Sequence, residues 1–89
     1  MVYALVTLYN PENTVAENMK KLQQYVDKIY LIDNSATDNA NQFLSRKIKY
    51  IPNYANFGLS AAFNKVLKNE HFEDDDYIIF LVQSLFLCD

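Results

Sequence analysis

The sequence contains little glycine, proline and cysteine, and it contains no tryptophan. Its 89 residues include one Gly, two Pro and one Cys. So few turn-forming residues argue against disorder and against an all-β fold with many turns. A single cysteine cannot form an internal disulfide, and no metal-ligand spacing surrounds Cys88. We therefore expect a protein of a reducing, cytoplasmic environment.

The sequence also has no excess of basic residues and no long apolar run. The net charge of −3 gives no basic footprint, so we expect no nucleic-acid partner. No apolar run reaches the roughly 18 residues that span a bilayer, and the first residues lack the pattern of a signal peptide. We therefore expect no transmembrane segment. The 51% of hydrophobic residues is instead typical of one small folded domain.

The order of patterns along the chain predicts alternating strands and helices. Apolar, β-rich segments lie at 2–9, 28–32, 47–51 and 77–82, and helical patterns lie at 13–26, 37–44 and 59–69. We expect Asn13 or Thr14 to cap the first helix, and Phe43 and Leu44 to pack inward. This alternation predicts a three-layer α/β/α, half-Rossmann-like parallel sheet with right-handed crossovers. If strands one to three run outward in order and strand four returns beside strand one, the strand order is 3-2-1-4.

A polar cluster follows the second strand directly. The apolar run 29–32 is typical of a buried parallel strand, and Asp33, Asn34 and Ser35 come next. Ligands of open α/β sheets bind at the carboxyl ends of strands, near the point where strand order reverses. The Asp33 carboxylate can accept hydrogen bonds from a ribose hydroxyl or a base N–H. The alternative is that the three residues only form a turn and cap the next helix.

The reversal point of the predicted sheet lies between strands one and four. It would gather residues 9–10, 33–35 and 82–84 around one crevice, and the loop 56–58 would line its wall. Gly58 is the only glycine, so it could supply a positive φ or permit a ligand to approach the backbone.

Four segments in register resemble the family-2 inverting glycosyltransferases, and the rhamnosyltransferase-like branch is the most similar. The segments are Val6-Thr7-Leu8-Tyr9-Asn10-Pro11, Val26-Asp27-Lys28-Ile29-Tyr30-Leu31-Ile32-Asp33-Asn34-Ser35, Asn56-Phe57-Gly58-Leu59-Ser60-Ala61-Ala62-Phe63-Asn64 and Asp76-Tyr77-Ile78-Ile79-Phe80-Leu81. The resemblance implies the nucleotide-sugar-binding N-terminal half of a GT-A fold. Residues 1–89 would then form a single truncated domain of this type.

The resemblance also implies roles for individual residues. Asp33 would hydrogen-bond the nucleobase, Asn64 would fix the loop before it, and Asp38 would cap the following helix. We expect Asp33→Ala to remove nucleotide binding without unfolding the domain. The expected nucleotide-binding residues are Thr7, Tyr9, Asn10, Asp33, Asn34, Ser35, Asn56 and Gly58.

The sequence departs from the family pattern in two respects. After strand four the family carries an acidic motif that holds Mg²⁺ or Mn²⁺, but this chain has Val82, Gln83 and Ser84 there. Because neither flanking position offers a carboxylate, we expect no metal ligands and no strongly bound cofactor. The family's acceptor half and general base are also missing, so we assign no catalytic residue.

Three hypotheses follow for the function. The chain is a nucleotide-sugar-binding half that is inactive alone, a transferase completed by a partner chain, or a non-catalytic module that associates with itself or another protein. A nucleoside diphosphate or nucleotide sugar is the expected ligand in the first case. The apolar strand four and the tail 85–87 lack the lysine, proline or bulge that blunts an edge, so they predict a homo-oligomer joined there.

Overall fold

The computed structural model describes residues 1–83. Alternating strands and helices follow one another along the chain, as the sequence patterns predict. The elements are β1 (Val2–Leu8), α1 (Asn13–Leu22), β2 (Lys28–Asp33), a 3-10 helix (Ala40–Gln42), β3 (Ile48–Pro52), α2 (Gly58–Asn69) and β4 (Tyr77–Val82).

The four strands form one parallel sheet of order β3-β2-β1-β4, which confirms the predicted topology. The strand order reverses between β1 and β4. Leu5 in the middle of β1 stands opposite Tyr30 of β2 and Phe80 of β4. The carboxyl ends of β1, β2 and β4 therefore meet at one edge of the sheet, where the predicted crevice lies.

The two helices cover opposite faces of the sheet. Val15 and Met19 of α1 pack in one cluster with Val6, Leu8 and Leu31. Ala62 and Val66 of α2 pack in the other cluster with Leu5, Tyr30 and Ile32. Strand residues alternate between the two clusters because successive side chains point to opposite faces. These contacts confirm the three-layer α/β/α fold.

The helix predicted over 37–44 is wrong, because this segment forms only the short 3-10 helix. Asp38 Oδ1 accepts a hydrogen bond from Ala40 N at 2.7 Å, and the Asn39 amide donates to Asp33 Oδ2 at 2.8 Å. Such local side-chain bonds compete with a regular helix. Phe43 is buried as expected, whereas Leu44 is 80% exposed. The bond to Ala40 confirms a structural role for Asp38.

The start of α1 also differs from the prediction. The helix begins at Asn13, and the preceding Glu12 makes no side-chain capping bond. Its carbonyl oxygen accepts a hydrogen bond from Val15 N at 3.0 Å. Asn13 and Thr14 therefore lie within the first turn and do not cap it.

Strand β4 lies at the edge of the sheet within residues 1–83. Tyr77 is 72% exposed, Ile79 40% and Phe80 48%. The C-terminal tail that we expected to extend this edge lies outside the described residues. In the described part of the chain, no helix has the length and apolar character needed to cross a membrane.

Candidate functional site

A cavity of about 350 Å³ opens at the carboxyl ends of β1, β2 and β4. Its volume lies at the lower end of the range of small-molecule sites. The polar side of its lining consists of Thr7, Tyr9, Asn34, Asn56 and Gln83, with Gly58 at the start of α2. The cavity lies at the reversal of strand order, where open α/β sheets bind ligands.

The segment after β1 is held in place from both sides. Tyr9 N donates to Gln83 Oε1 at 2.8 Å, which joins the ends of β1 and β4. Asn10 adopts a positive φ of 45°, and its N donates to Ser35 Oγ at 2.6 Å. An asparagine tolerates this conformation better than most residues. The chain therefore turns sharply after Tyr9, which lines the cavity.

Asp33 lies in a buried hydrogen-bonded network behind the cavity. Its side chain is 1% exposed. Its carboxylate accepts bonds from Tyr50 Oη at 2.6 Å, Asn39 Nδ2 at 2.8 Å and Ser35 N at 2.9 Å. Burial acts to raise the pKa of Asp33, but hydrogen bonds from Ser35, Tyr50 and Asn39 outweigh burial and hold the pKa below its usual value.

Asn34 is the residue of the polar cluster that lines the cavity. It is 4% exposed, and its backbone N donates to Leu8 O at 2.8 Å, which extends the β1–β2 ladder by one residue. Its side-chain Oδ1 accepts a hydrogen bond from Asn53 Nδ2 at 2.8 Å. The amide is thus fixed at the floor of the cavity.

The loop before α2 supplies the wall of the cavity. Gly58 has a φ of +82°, and a Cβ at this position would meet no atom within 4 Å. The positive φ, and not crowding, is therefore the reason for glycine here. Gly58 N donates to Asn56 Oδ1 at 3.0 Å, which closes the turn. Asn64, expected to fix this loop, lies on the exposed face of α2.

The structure brings five of the eight expected nucleotide-binding residues to the cavity: Thr7, Tyr9, Asn34, Asn56 and Gly58. The other three do not line it: Asp33 and Ser35 are buried, and Asn10 is exposed and donates to Ser35 Oγ. The sequence reasoning did not assign Leu59 to the site, because its spacing fitted the apolar stripe of α2. It also missed Asn53 and Lys65, whose contacts with the site depend on tertiary structure.

A comparison with family models adds an independent observation. Residues 3–81 match the model described as Glycosyl transferase family 2. The chain belongs to this family. Membership of glycosyl transferase family 2 supports a function in glycosyl transfer in general. Comparisons with curated proteins and with solved structures gave no match.

The described donor atoms that line this glycosyl transferase family 2 cavity do not fit a hard divalent cation. Within residues 1–83, no group of three or more His, Cys, Asp or Glu side chains is placed to hold a metal. Val82 offers no oxygen, and Ser84 lies outside the described residues. Asp33 already accepts bonds from three protein donors. Mg²⁺ prefers carboxylates and water, whereas this lining offers hydroxyls and amides.

Proposed function

We propose that the cavity binds the nucleotide part of a nucleotide-sugar donor without a divalent cation. Its position at the carboxyl ends of β1, β2 and β4 is the observation that carries the proposal. Family membership supports a sugar-transfer context, and a nucleoside diphosphate carries the polar groups that such a lining of hydroxyls and amides recognises. Following the rhamnosyltransferase-like resemblance, a pyrimidine nucleotide is the preferred ligand.

Titration calorimetry with UDP, dTDP and ADP tests this proposal. Leu59 lines the cavity and is 52% exposed, so Leu59→Trp adds bulk to the wall with little disturbance of the core. We expect Leu59→Trp to weaken pyrimidine nucleotide binding about tenfold or more, because the larger side chain fills part of the cavity. A tenfold change in Kd corresponds to about 1.4 kcal/mol of binding free energy. Leu67→Trp, two turns further along α2 and 40% exposed, is the matched control. Equal binding by both variants would place the nucleotide elsewhere.

The absence of carboxylate donors from the described lining predicts binding that is independent of Mg²⁺ or Mn²⁺. In Gln83→Glu, one carboxylate oxygen still accepts from Tyr9 N, but the amide donor becomes a second anionic oxygen. We expect this variant to bind nucleoside diphosphates more weakly in EDTA and to regain affinity with Mn²⁺. The wild type should bind equally in both buffers. A large gain with Mn²⁺ in the wild type would contradict the proposal.

We expect residues 1–89 alone to transfer no sugar. Transfer needs a base that deprotonates the acceptor hydroxyl, and the described cavity lining contains no carboxylate or histidine for that role. Product assays with dTDP-rhamnose and UDP-glucose should therefore detect neither transfer nor hydrolysis. Turnover above the buffer rate would favour the hypothesis of an active transferase.

Self-association is the second candidate function. The observation in its favour is the exposure of Tyr77, Ile79 and Phe80 on the edge strand β4. Two copies can pair their β4 edges in antiparallel fashion and form one continuous eight-stranded sheet. Apolar side chains at such an edge favour pairing because their burial in the dimer removes apolar surface from water.

A further inference from the structure

Three side chains form a hydrogen-bonded chain from the surface of α2 to the cavity. Lys65 Nζ donates to Asn53 Oδ1 at 2.6 Å, and Asn53 Nδ2 donates to Asn34 Oδ1 at 2.8 Å. Asn34 lines the cavity, and its Nδ2 faces Gly58 O at 3.5 Å. An exposed lysine is thus connected through two hydrogen bonds to a buried amide of the candidate site.

Lys65, which only donates, and Gly58 O, which only accepts, favour the same direction for every bond in this chain, and the 2.6 Å bond from Lys65 is much shorter than the 3.5 Å contact with Gly58 O. An ammonium group only donates hydrogen bonds, so Asn53 must turn its oxygen toward Lys65. The Asn53 amide nitrogen then faces Asn34 and requires an acceptor there. Asn34 consequently uses its oxygen for Asn53 and leaves its nitrogen on the side of Gly58. The reversed arrangement would place the Asn53 amide nitrogen against the ammonium group, two donors with no acceptor.

The backbone keeps the two asparagines together. Asn34 N donates to Leu8 O at 2.8 Å, and Asn53 N donates to Asp33 O at 2.9 Å. These two bonds continue the ladder of β1, β2 and β3 by one residue beyond the strands. Asn34 is 4% exposed, so its amide cannot turn toward bulk water. A wrongly oriented amide would therefore leave a buried polar atom without a partner.

We propose that Lys65 and Asn53 are positioning residues that make Asn34 present N–H donors to the cavity. The cavity then selects a ligand that places an acceptor oxygen against Asn34, and it disfavours an amine at that point. An amide nitrogen carries two N–H bonds, and the long contact with Gly58 O occupies only one of them. The ligand part of this inference rests on the proposed nucleotide function, whereas the amide orientation does not.

Nuclear magnetic resonance of the ligand-free protein tests the orientation directly. In the wild type, the Asn34 amide protons should show NOEs to Gly58, and the Asn53 amide protons should show NOEs to the Asn34 side chain. Lys65→Met removes the strong donor and leaves only the 3.5 Å contact with Gly58 O to orient the amide, so it should give a second, minor set of Asn34 amide signals. Lys65→Arg, which also only donates, should restore one set. Lys68→Met, one turn further along α2, controls for the lost charge. An unchanged single set in Lys65→Met would overturn the proposal.

Calorimetry with UDP and CDP tests the consequence for the ligand, because position 4 of the pyrimidine carries a carbonyl oxygen in UDP and an exocyclic amino group in CDP. The wild type should prefer UDP, and Lys65→Met should reduce that preference roughly threefold to tenfold. Lys65→Glu accepts where lysine donates, so it should favour the reversed direction against the weak 3.5 Å contact with Gly58 O and shift the preference toward CDP. If all three proteins prefer UDP over CDP to the same extent, the proposal that Asn34 selects an acceptor oxygen of the ligand is overturned. If the wild type binds neither nucleotide, the proposed function fails, and the resonance experiment still decides the orientation.

Discussion

Asp33 shows at the scale of one residue how burial changes the role of a carboxylate. The sequence placed it at a strand end, where a free carboxylate could bind a ligand. Its partners Tyr50 and Asn39 instead occupy one oxygen, and Ser35 N occupies the other. Asp33→Ala would leave these donors without an acceptor, so it should destabilise the fold as well as the site. This differs from the expectation that the substitution spares folding.

Tyr50→Phe tests the network without removing the ring, which stacks on Phe43 at 6.3 Å between centroids. Loss of the hydroxyl removes a hydrogen bond to a charged acceptor, so we expect the free energy of unfolding to fall by about 1.5–3 kcal/mol near neutral pH. Urea unfolding gives this value. Tyr54→Phe is the matched control, because its hydroxyl contacts Asp38 Oδ2 at 3.2 Å on the surface. It should change stability much less.

The effect of Tyr50→Phe should depend on pH. The folded-state pKa of Asp33 lies below its unfolded value, so Asp33 stabilises the fold above the unfolded pKa. This contribution is lost as the pH falls through the folded pKa. Removal of the Tyr50 hydroxyl raises the folded pKa, and the acid unfolding midpoint should move to higher pH. A variant that unfolds at the same acid pH as the wild type would contradict this account.

The loop that leads into α2 is the clearest feature at the scale of an element. Gly58 is the only glycine in the sequence, and a positive φ is one of its two expected roles. The structure confirms that role, because Gly58 has a φ of +82°, and open space around the position of a Cβ excludes crowding as the reason. The turn is completed by Asn56 Oδ1, which accepts from Gly58 N. Residue type alone is therefore enough to indicate a turn at this position.

Gly58→Ala should destabilise the protein by about 1–2 kcal/mol, because an L-residue at this φ is strained whatever the space around it. Gly58→Asn should cost less, since asparagine visits the left-handed region more readily. Thermal unfolding of both variants measures the difference. Equal melting temperatures for the wild type and Gly58→Ala would show that the loop adopts another conformation in solution.

The sequence predicted the strands correctly because a pattern within its own segment marks each of them, and the order 3-2-1-4 required in addition that strands one to three run outward and strand four returns beside strand one. The apolar runs mark the strands, and alternation with helices restricts the sheet to parallel pairing. The segment 37–44 was predicted wrongly because its Asp and Asn side chains form local bonds that periodicity does not register. The contact between Lys65 and Asn53 could not be foreseen either, since Lys65 lies on α2 and Asn53 lies 12 positions earlier in the loop after β3.

The exposed edge at β4 is a property of the whole molecule. The other edge of the sheet, β3, carries Lys49, which pairs with Glu70 at 2.9 Å. Strand β4 has no charged residue between Tyr77 and Val82. Within residues 1–83, a charged side chain thus lies on the β3 edge strand, whereas the β4 edge strand carries none. Pairing of two copies through β4 therefore stays a prediction, which a substitution in this strand can test.

Ile79→Lys should shift the protein from dimer to monomer in analytical ultracentrifugation at micromolar concentration. A lysine at the centre of β4 would bring two like charges together across a two-fold axis, and each would lose water. Leu44→Lys is the control, because Leu44 is 80% exposed and precedes the opposite edge strand. It should leave the association unchanged. A wild type that sediments as a monomer would remove the second candidate function.

The position of β1 between β2 and β4 has a consequence for folding during synthesis on the ribosome. β1 leaves the ribosome first of the four strands, yet one of its two partners, β4, is the last. Residues 34–76, which separate the end of β2 from the start of β4, take roughly 2–9 s to translate at about 5–20 residues per second. During this time β1 can pair with β2 on one side only, and its other edge stays open in the nascent chain. A chaperone that shields this edge should therefore be released when Tyr77 to Val82 emerge and pair with Val2 to Thr7.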